Sequence, residues 1–137
     1  MNHVKLVMDS QPENISFARV VIAGFLAPLD PSVDEISDTK TAVSEAVTNA
    51  IIHGGPGEVS MILSHQGKDI TIVISDNGVG IKDIEAARQP LFTTMEHEER
   101  SGLGFTVMES FMDTVAVEST LGQGTTVTLT KTLASRE

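Results

Sequence analysis

Residues 44–54 read SEAVTNAIIHG, and the four-residue spacing of Glu45 and Asn49 puts both side chains on one face of a helix. At about 100° per residue that face lies opposite Ile36, Val43 and Val47, and it also carries Ala42, Ala46 and His53. An ordinary solvated helix face carries several Lys and Glu. Small residues around two isolated polar groups instead mark a surface that something covers. Taken alone, the pattern also fits the commoner case of a plain exposed Glu and Asn.

Working outward, Ser32 can cap this helix after the break at Asp30 and Pro31, and the cluster Gly54, Gly55, Pro56, Gly57 ends it. Its apolar stripe is Ile36, Val43, Val47 and Ala50. Upstream, Asn2 to Met8 reads as a strand, and Ser10 with Pro12 offers an N-cap and first-turn proline for a helix to about Leu26. Ile15, Ala18, Ile22 and Phe25 form its stripe. Downstream, Glu58 to Ser64 and Asp69 to Ser75 read as a hairpin through a polar turn at Gln66 to Lys68. A charged, weakly periodic stretch from Lys82 to Gly102 is expected to be mobile in part. A third helix should run from near Gly104 to about Asp113. Two last strands, Thr114 to Ser119 and Thr125 to Leu133, flank a turn at Leu121 to Gly124. This order predicts an α+β fold, a two-layer sandwich with helices on one face of a mixed sheet, in a single domain over residues 1–137.

Three further constellations carry chemistry. Asp76, Asn77, Gly78, Val79, Gly80 follow the apolar run Ile70 to Ile74. A carboxylate at the end of a buried strand, followed by two glycines, lets backbone approach a flat ligand closely. A simple strand-ending turn has the same composition. Arg100, Ser101, Gly102, Leu103, Gly104 precede the third helix, where exposed N–H groups and the positive dipole end suit phosphate. Gly122, Gln123, Gly124, Thr125, Thr126 would otherwise be read as a hairpin turn entering a β-branched strand.

Composition narrows the function. The formal charge of −10, from nine Lys and Arg against nineteen Asp and Glu, argues against direct nucleic-acid binding, which needs cations to neutralise phosphates. A bound nucleotide would have to be held by backbone dipoles, a metal and a few local Arg side chains. The absence of cysteine excludes disulfides, zinc thiolates and thiol nucleophiles. No run approaches the roughly 18 apolar residues of a membrane span, and Met1 to Met8 lacks a signal-peptide core, so a cytoplasmic location is expected.

In this order and spacing the four motifs resemble the ATP-binding fold shared by gyrase, Hsp90, histidine kinases and MutL. The runs SEAVTNAIIHG (44–54), ARQPLFTT (87–94) and ERSGLGF (99–105), with SFAR (16–19), resemble more narrowly the anti-sigma F factors of spore-forming bacteria, over nearly the whole chain. Two departures stand out. The loop after His53 is short, and Met95 occupies a lid position where a basic residue is usual.

The resemblance implies a bound ATP with Mg²⁺ under a lid of about residues 82–104. Asp76 would accept a hydrogen bond from the adenine amino group, and a guanine, which presents an oxygen there, would be repelled. Thr125 would steady that pairing, and Gly78 and Gly80 would give base and ribose room. Asn49 would offer its neutral oxygen to Mg²⁺. Gly102 and Gly104 would present N–H groups to the phosphates, with Thr93, Thr94, Ser101 and Leu103 completing the nucleotide site and Arg100 as a cation for charge developing in transfer. Arg100 could equally pair with Glu98 or Glu99. Glu45 would accept the proton of an incoming serine hydroxyl on an anti-anti-sigma protein. Arg19 would belong to the surface that binds this protein and a sporulation sigma factor, and the chain would pair as a homodimer, with the N-terminal strand as a plausible edge.

Three rivals accompany this reading. A detached histidine-kinase catalytic domain shares the ATP motifs, but the sequence shows no helical phosphoacceptor segment. A pure binding module would use nucleotide only to hold a partner-binding shape, and Glu45 argues for the kinase instead. A general-stress anti-sigma kinase of similar fold is the third, against which the lid sequence favours the sporulation branch.

Overall fold

The computed structural model describes residues 1–78 and 102–134. The first strand, β1, spans Asn2–Asp9 and passes into helix α1, Glu13–Leu26. Pro12 takes the N-cap position of α1 without a side-chain hydrogen bond, so Ser10 is not its cap. The Ser10 hydroxyl is engaged elsewhere, 3.0 Å from the Gly55 carbonyl and 3.3 Å from that of Ile51. Ala18, Ile22, Phe25 and Leu26 are buried, the apolar stripe expected of α1.

After a short 3₁₀ turn, Ala27–Leu29, helix α2 covers Val33–Thr48. Its start follows from sequence: Ser32 Oγ accepts the Glu35 N–H at 3.0 Å while Glu35 Oε1 accepts the Ser32 N–H at 2.8 Å, a capping box. Thr39 is buried in the apolar stripe without cost, because its hydroxyl donates to the Glu35 carbonyl at 2.7 Å. Helix α2 packs against α1 and also against α3, Gly102–Phe111. Ala42 and Ala46 are therefore buried together with Val43 and Val47, so the protein's own helices cover part of the Glu45 face, while Glu45, Asn49 and His53 stay partly exposed.

Four further strands complete the sheet, two before α3 and two after it: β2, Glu58–Gln66; β3, Asp69–Asp76; β4, Thr114–Thr120; and β5, Gly124–Thr132. Their order is β1-β2-β3-β5-β4. The sequence suggests a mixed sheet, but among the described residues every pairing is antiparallel. The connection from β3 lands on the outer strand β4, and the tight hairpin returns β5 into the gap beside β3. Strands β3 and β4 run parallel without touching. Alternation places Val59, Met61, Leu63, Ile70, Ile72, Ile74, Val127 and Leu129 under the helices, giving the two expected layers.

Candidate functional site

Asp76 is the last residue of β3 on the same inward face as Ile72 and Ile74, and it lies across from Thr125 of β5. Its Oδ1 accepts the Gly78 N–H at 2.8 Å. Thr125 is nearly buried, and its hydroxyl lies 2.8 Å from Ser119 Oγ, which itself donates to the Gly124 carbonyl at 3.0 Å. A hydroxyl has one proton, so Thr125 is the donor to Ser119 and keeps its lone pairs as acceptors. Ala46, Ala50, Ile74, Phe105 and Val127 wall a cleft whose polar groups are Asn49, Asp76 and Thr125. Its volume is about 10 Å³, room for about one water, so it is the chemistry of the lining, apolar walls beside acceptors, that matches a flat heteroaromatic base carrying a donor on its edge.

The other end of the site is built by α2 and the first turn of α3. A Cβ added to Gly104 would lie 3.4 Å from Glu45 Oε2, 3.5 Å from Asn49 Nδ2 and 3.8 Å from Asn49 Oδ1, so glycine lets the α3 backbone approach both side chains. Partial burial of Glu45 pushes its carboxyl above the usual glutamate range, which makes it a better proton acceptor than an exposed carboxylate. Among the described residues no three His, Cys, Asp or Glu side chains gather as a metal cage. The Asn49 carboxamide oxygen by itself still fits Mg²⁺, a hard cation that retains waters, bridges phosphates and takes few protein ligands.

Asn49 also begins a departure from regular helix. Residues Asn49–His53 form a π-helical turn, not the α-helix expected through to Gly54. Tertiary contacts support the wider turn: the Ile51 and Gly55 carbonyls face the Ser10 hydroxyl, and the Ser10 N–H donates to the Gly57 carbonyl at 2.8 Å. Such turns recur at functional sites. The short loop beyond it is closed by Gly55 and Gly57 at φ of 90° and 123°, which only glycine adopts without strain. Gly124, at φ of 104°, is required twice over, because a Cβ there would come within 2.0 Å of the Asp76 carbonyl.

The fold thus brings together Glu45, Asn49, Asp76, Gly78, Gly104 and Thr125, with Gly102 and Leu103 in the first turn of α3. Gly80, Thr93, Thr94, Met95, Arg100 and Ser101, and with them residues 82–101 of the expected lid, lie outside the described residues, whereas its last residues, 102–104, form the first turn of α3. Arg19 is exposed on α1 and lines a separate groove with Val33, Ile36, Ser37 and Lys40. Sequence reasoning missed Ser119, Phe105 and Gly54 as parts of the site. Phe105 and Gly54 close two of the quoted motifs, which was a usable signal. Ser119 had none, because its partner Thr125 is supplied by strand pairing.

The profile of the histidine kinase-like ATPase domain family matches residues 8–131. The anti-sigma F factor of Thermoanaerobacter sp. strain X514 is 54% identical over 137 residues, covering 98% of this chain and 96% of that one. Those of Geobacillus kaustophilus and Clostridium kluyveri are 53% and 48% identical, with 97% and 98% of this chain covered and 94% and 96% of theirs. Among solved structures, the RsbU and RsbW domains of a Mycobacterium tuberculosis protein superpose with a TM-score of 0.74 at 18% identity, over 99% of this chain and 34% of that one. The catalytic domain of the histidine kinase ThkA gives 0.56 at 16% identity, over 97% of both. These two likenesses speak to fold alone, but the full-length identity speaks to family: the chain belongs to the anti-sigma F factors, within the histidine kinase-like ATPase domains.

Proposed function

We propose that this protein binds and inhibits a sporulation sigma factor and, as an ATP-dependent serine kinase, phosphorylates and so inactivates an anti-anti-sigma protein. The observation that carries the kinase half is Glu45, a carboxylate of raised proton affinity beside Asn49 and Gly104. The anti-sigma half rests on family membership, and the relatives' name favours the sporulation branch over a general-stress kinase.

In this reading Asp76 and Thr125 orient the base, and Gly104 brings the start of α3 toward the phosphates, where N–H groups offset negative charge that an acidic protein cannot offset with many cations. Mg²⁺, held through Asn49, would neutralise charge on the β- and γ-phosphates. Glu45 takes the proton of the serine hydroxyl as the new O–P bond forms, the bond between the β,γ-bridging oxygen and the γ-phosphorus breaks, and ADP leaves. Arg19 and Lys40 make the α1/α2 groove a cationic feature on a protein of net charge −10, which suits partners with an acidic contact surface. Strand β1 leaves one sheet edge open with Val4 and Val7 exposed, which supports homodimer formation there.

The test is to mix the protein with ATP, Mg²⁺ and a candidate anti-anti-sigma protein and to look for phosphoserine by mass spectrometry. Transfer to serine is expected. Sigma-factor and ATP binding without transfer to any serine partner would replace the kinase with a nucleotide-dependent binding module.

A further inference from the structure

Gly54 ends the π-helical turn with φ of −71° and ψ of −21°, a conformation open to every residue. Its lack of a side chain is therefore a matter of space and not of backbone freedom. A Cβ at this buried position would lie 2.7 Å from Asp76 Cγ and 2.8 Å from Asp76 Oδ1, besides 2.2 Å from the Ala50 carbonyl oxygen. The Gly54 carbonyl in turn fills the space next to Gly78, where an added Cβ would come within 1.4 Å of its oxygen. Gly78 is the residue whose N–H holds Asp76 Oδ1. The carboxylate is thus bounded by the bare Cα of residue 54 and held by an N–H whose own position that residue limits.

We propose that Gly54 is a positioning residue that sets the direction of the Asp76 carboxylate and so selects a base with an exocyclic amino donor over one with a carbonyl. This rests on the reading of Asp76 as the adenine acceptor. The physical link is hydrogen-bond geometry: a carboxylate forced off its direction loses linear contact with the donor, and the interaction weakens steeply with angle. Because the same turn starts at Asn49, five residues tie the base end of the site to its metal end.

The experiment compares ATP with inosine triphosphate, which keeps ribose and phosphates and replaces the amino group by a carbonyl. Calorimetric titration of the parent should favour ATP by about tenfold or more, the value of a charge-assisted hydrogen bond. In Gly54→Ala the preference should fall to within about threefold of unity while inosine triphosphate affinity stays within about threefold of the parent, the usual scatter of independent effects. A structural role alone would lower both affinities together and keep their ratio, which would overturn the proposal. Asp76→Asn separates the two readings. If it keeps the parental ratio the adenine assignment itself fails; if it loses the ratio while Gly54→Ala keeps it, only the role of Gly54 fails. Should Gly54→Ala fold poorly, its loss of melting temperature is measured in the parent and in an Asp76→Ala background, a double-mutant cycle. The contact with the Ala50 carbonyl is present in both backgrounds and that with the carboxylate only in the first, so the loss should be smaller in the Asp76→Ala background. An equal or larger loss there would put the conflict on the Ala50 carbonyl alone and refute the proposal.

Discussion

At its N-terminal end α2 is closed by the reciprocal bonds of Ser32 and Glu35, and the second oxygen of that glutamate, Oε2, accepts the Ala134 N–H at 2.7 Å. Ten residues later on the same helix, Glu45 lies half-buried against Gly104, next to a turn that abandons the α-helical pattern. The two carboxylates are displaced in opposite directions. The backbone N–H groups of Ser32 and Ala134 hold Glu35 below the ordinary range, with Lys131 assisting against a smaller desolvation effect, whereas burial holds Glu45 above it. Dipole direction adds to the contrast, since negative charge is favoured at the start of a helix and disfavoured near its end. A helix end that satisfies its own groups locally contributes to stability. One that keeps a poorly solvated carboxylate costs stability, and a ligand or substrate is what such a group can serve.

The sharpest way to break this contrast is Glu45→Ala. If Glu45 is the proton acceptor, single-turnover transfer to the serine partner should fall roughly 10²- to 10⁴-fold while ATP affinity and sigma-factor binding are kept. Transfer at the parental rate would return Glu45 to the class of ordinary surface carboxylates. Asp76→Asn tests the other end of the site through binding. The amide can present a donor where an acceptor is needed, and ATP affinity should drop by about 10- to 100-fold, as for loss of a hydrogen bond to a charged group, in a calorimetric titration.

Glu35→Ala should leave ATP binding alone and cost about 1–2 kcal/mol in urea unfolding, from the capping box together with the tie to Ala134. A group whose folded pKa is depressed contributes its stability above the unfolded value and loses it as pH falls through the folded value. The gap between Glu35→Ala and the parent should therefore be full at neutral pH and close in acid. A gap that persists unchanged below the glutamate range would mean that the charge of Glu35 contributes nothing.

Glu45→Gln gives the smallest effect and the opposite sign. A raised folded pKa means that the cost of the ionised group is absent below the unfolded value and complete once pH has risen through the folded one. The variant should melt slightly above the parent at pH 8, with the difference vanishing in acid. A variant less stable than the parent at pH 8 would show that Glu45 is satisfied in the fold, and the two ends of α2 would cease to differ in kind.

Much of this was legible beforehand, and the misses are specific. The capping box at Ser32 and Glu35 was half visible, since the serine was identified as a cap and its glutamate lies three residues on. Ser10 looked equally like a cap and was not one, because its hydroxyl reaches carbonyls more than forty residues away. The face of Glu45 and Asn49 reads as well as a plain exposed one as it does as a covered one, and nothing local says that α3 approaches it at Gly104. The antiparallel order was misjudged because it depends on which side of β4 the last hairpin folds.

The sequence by itself determined the strands, the helices, the start of α2 and the placing of Glu45, Asn49, Asp76 and Thr125 in motifs, because periodicity, capping and turn chemistry act over a few residues. Only the tertiary structure decided that β5 lies between β3 and β4, that the end of α2 widens into a π-helical turn, and that Gly54 bounds the Asp76 carboxylate. Those outcomes depend on contacts between residues more than twenty positions apart, for which close packing and hydrogen-bond satisfaction choose among arrangements that local preference leaves equal.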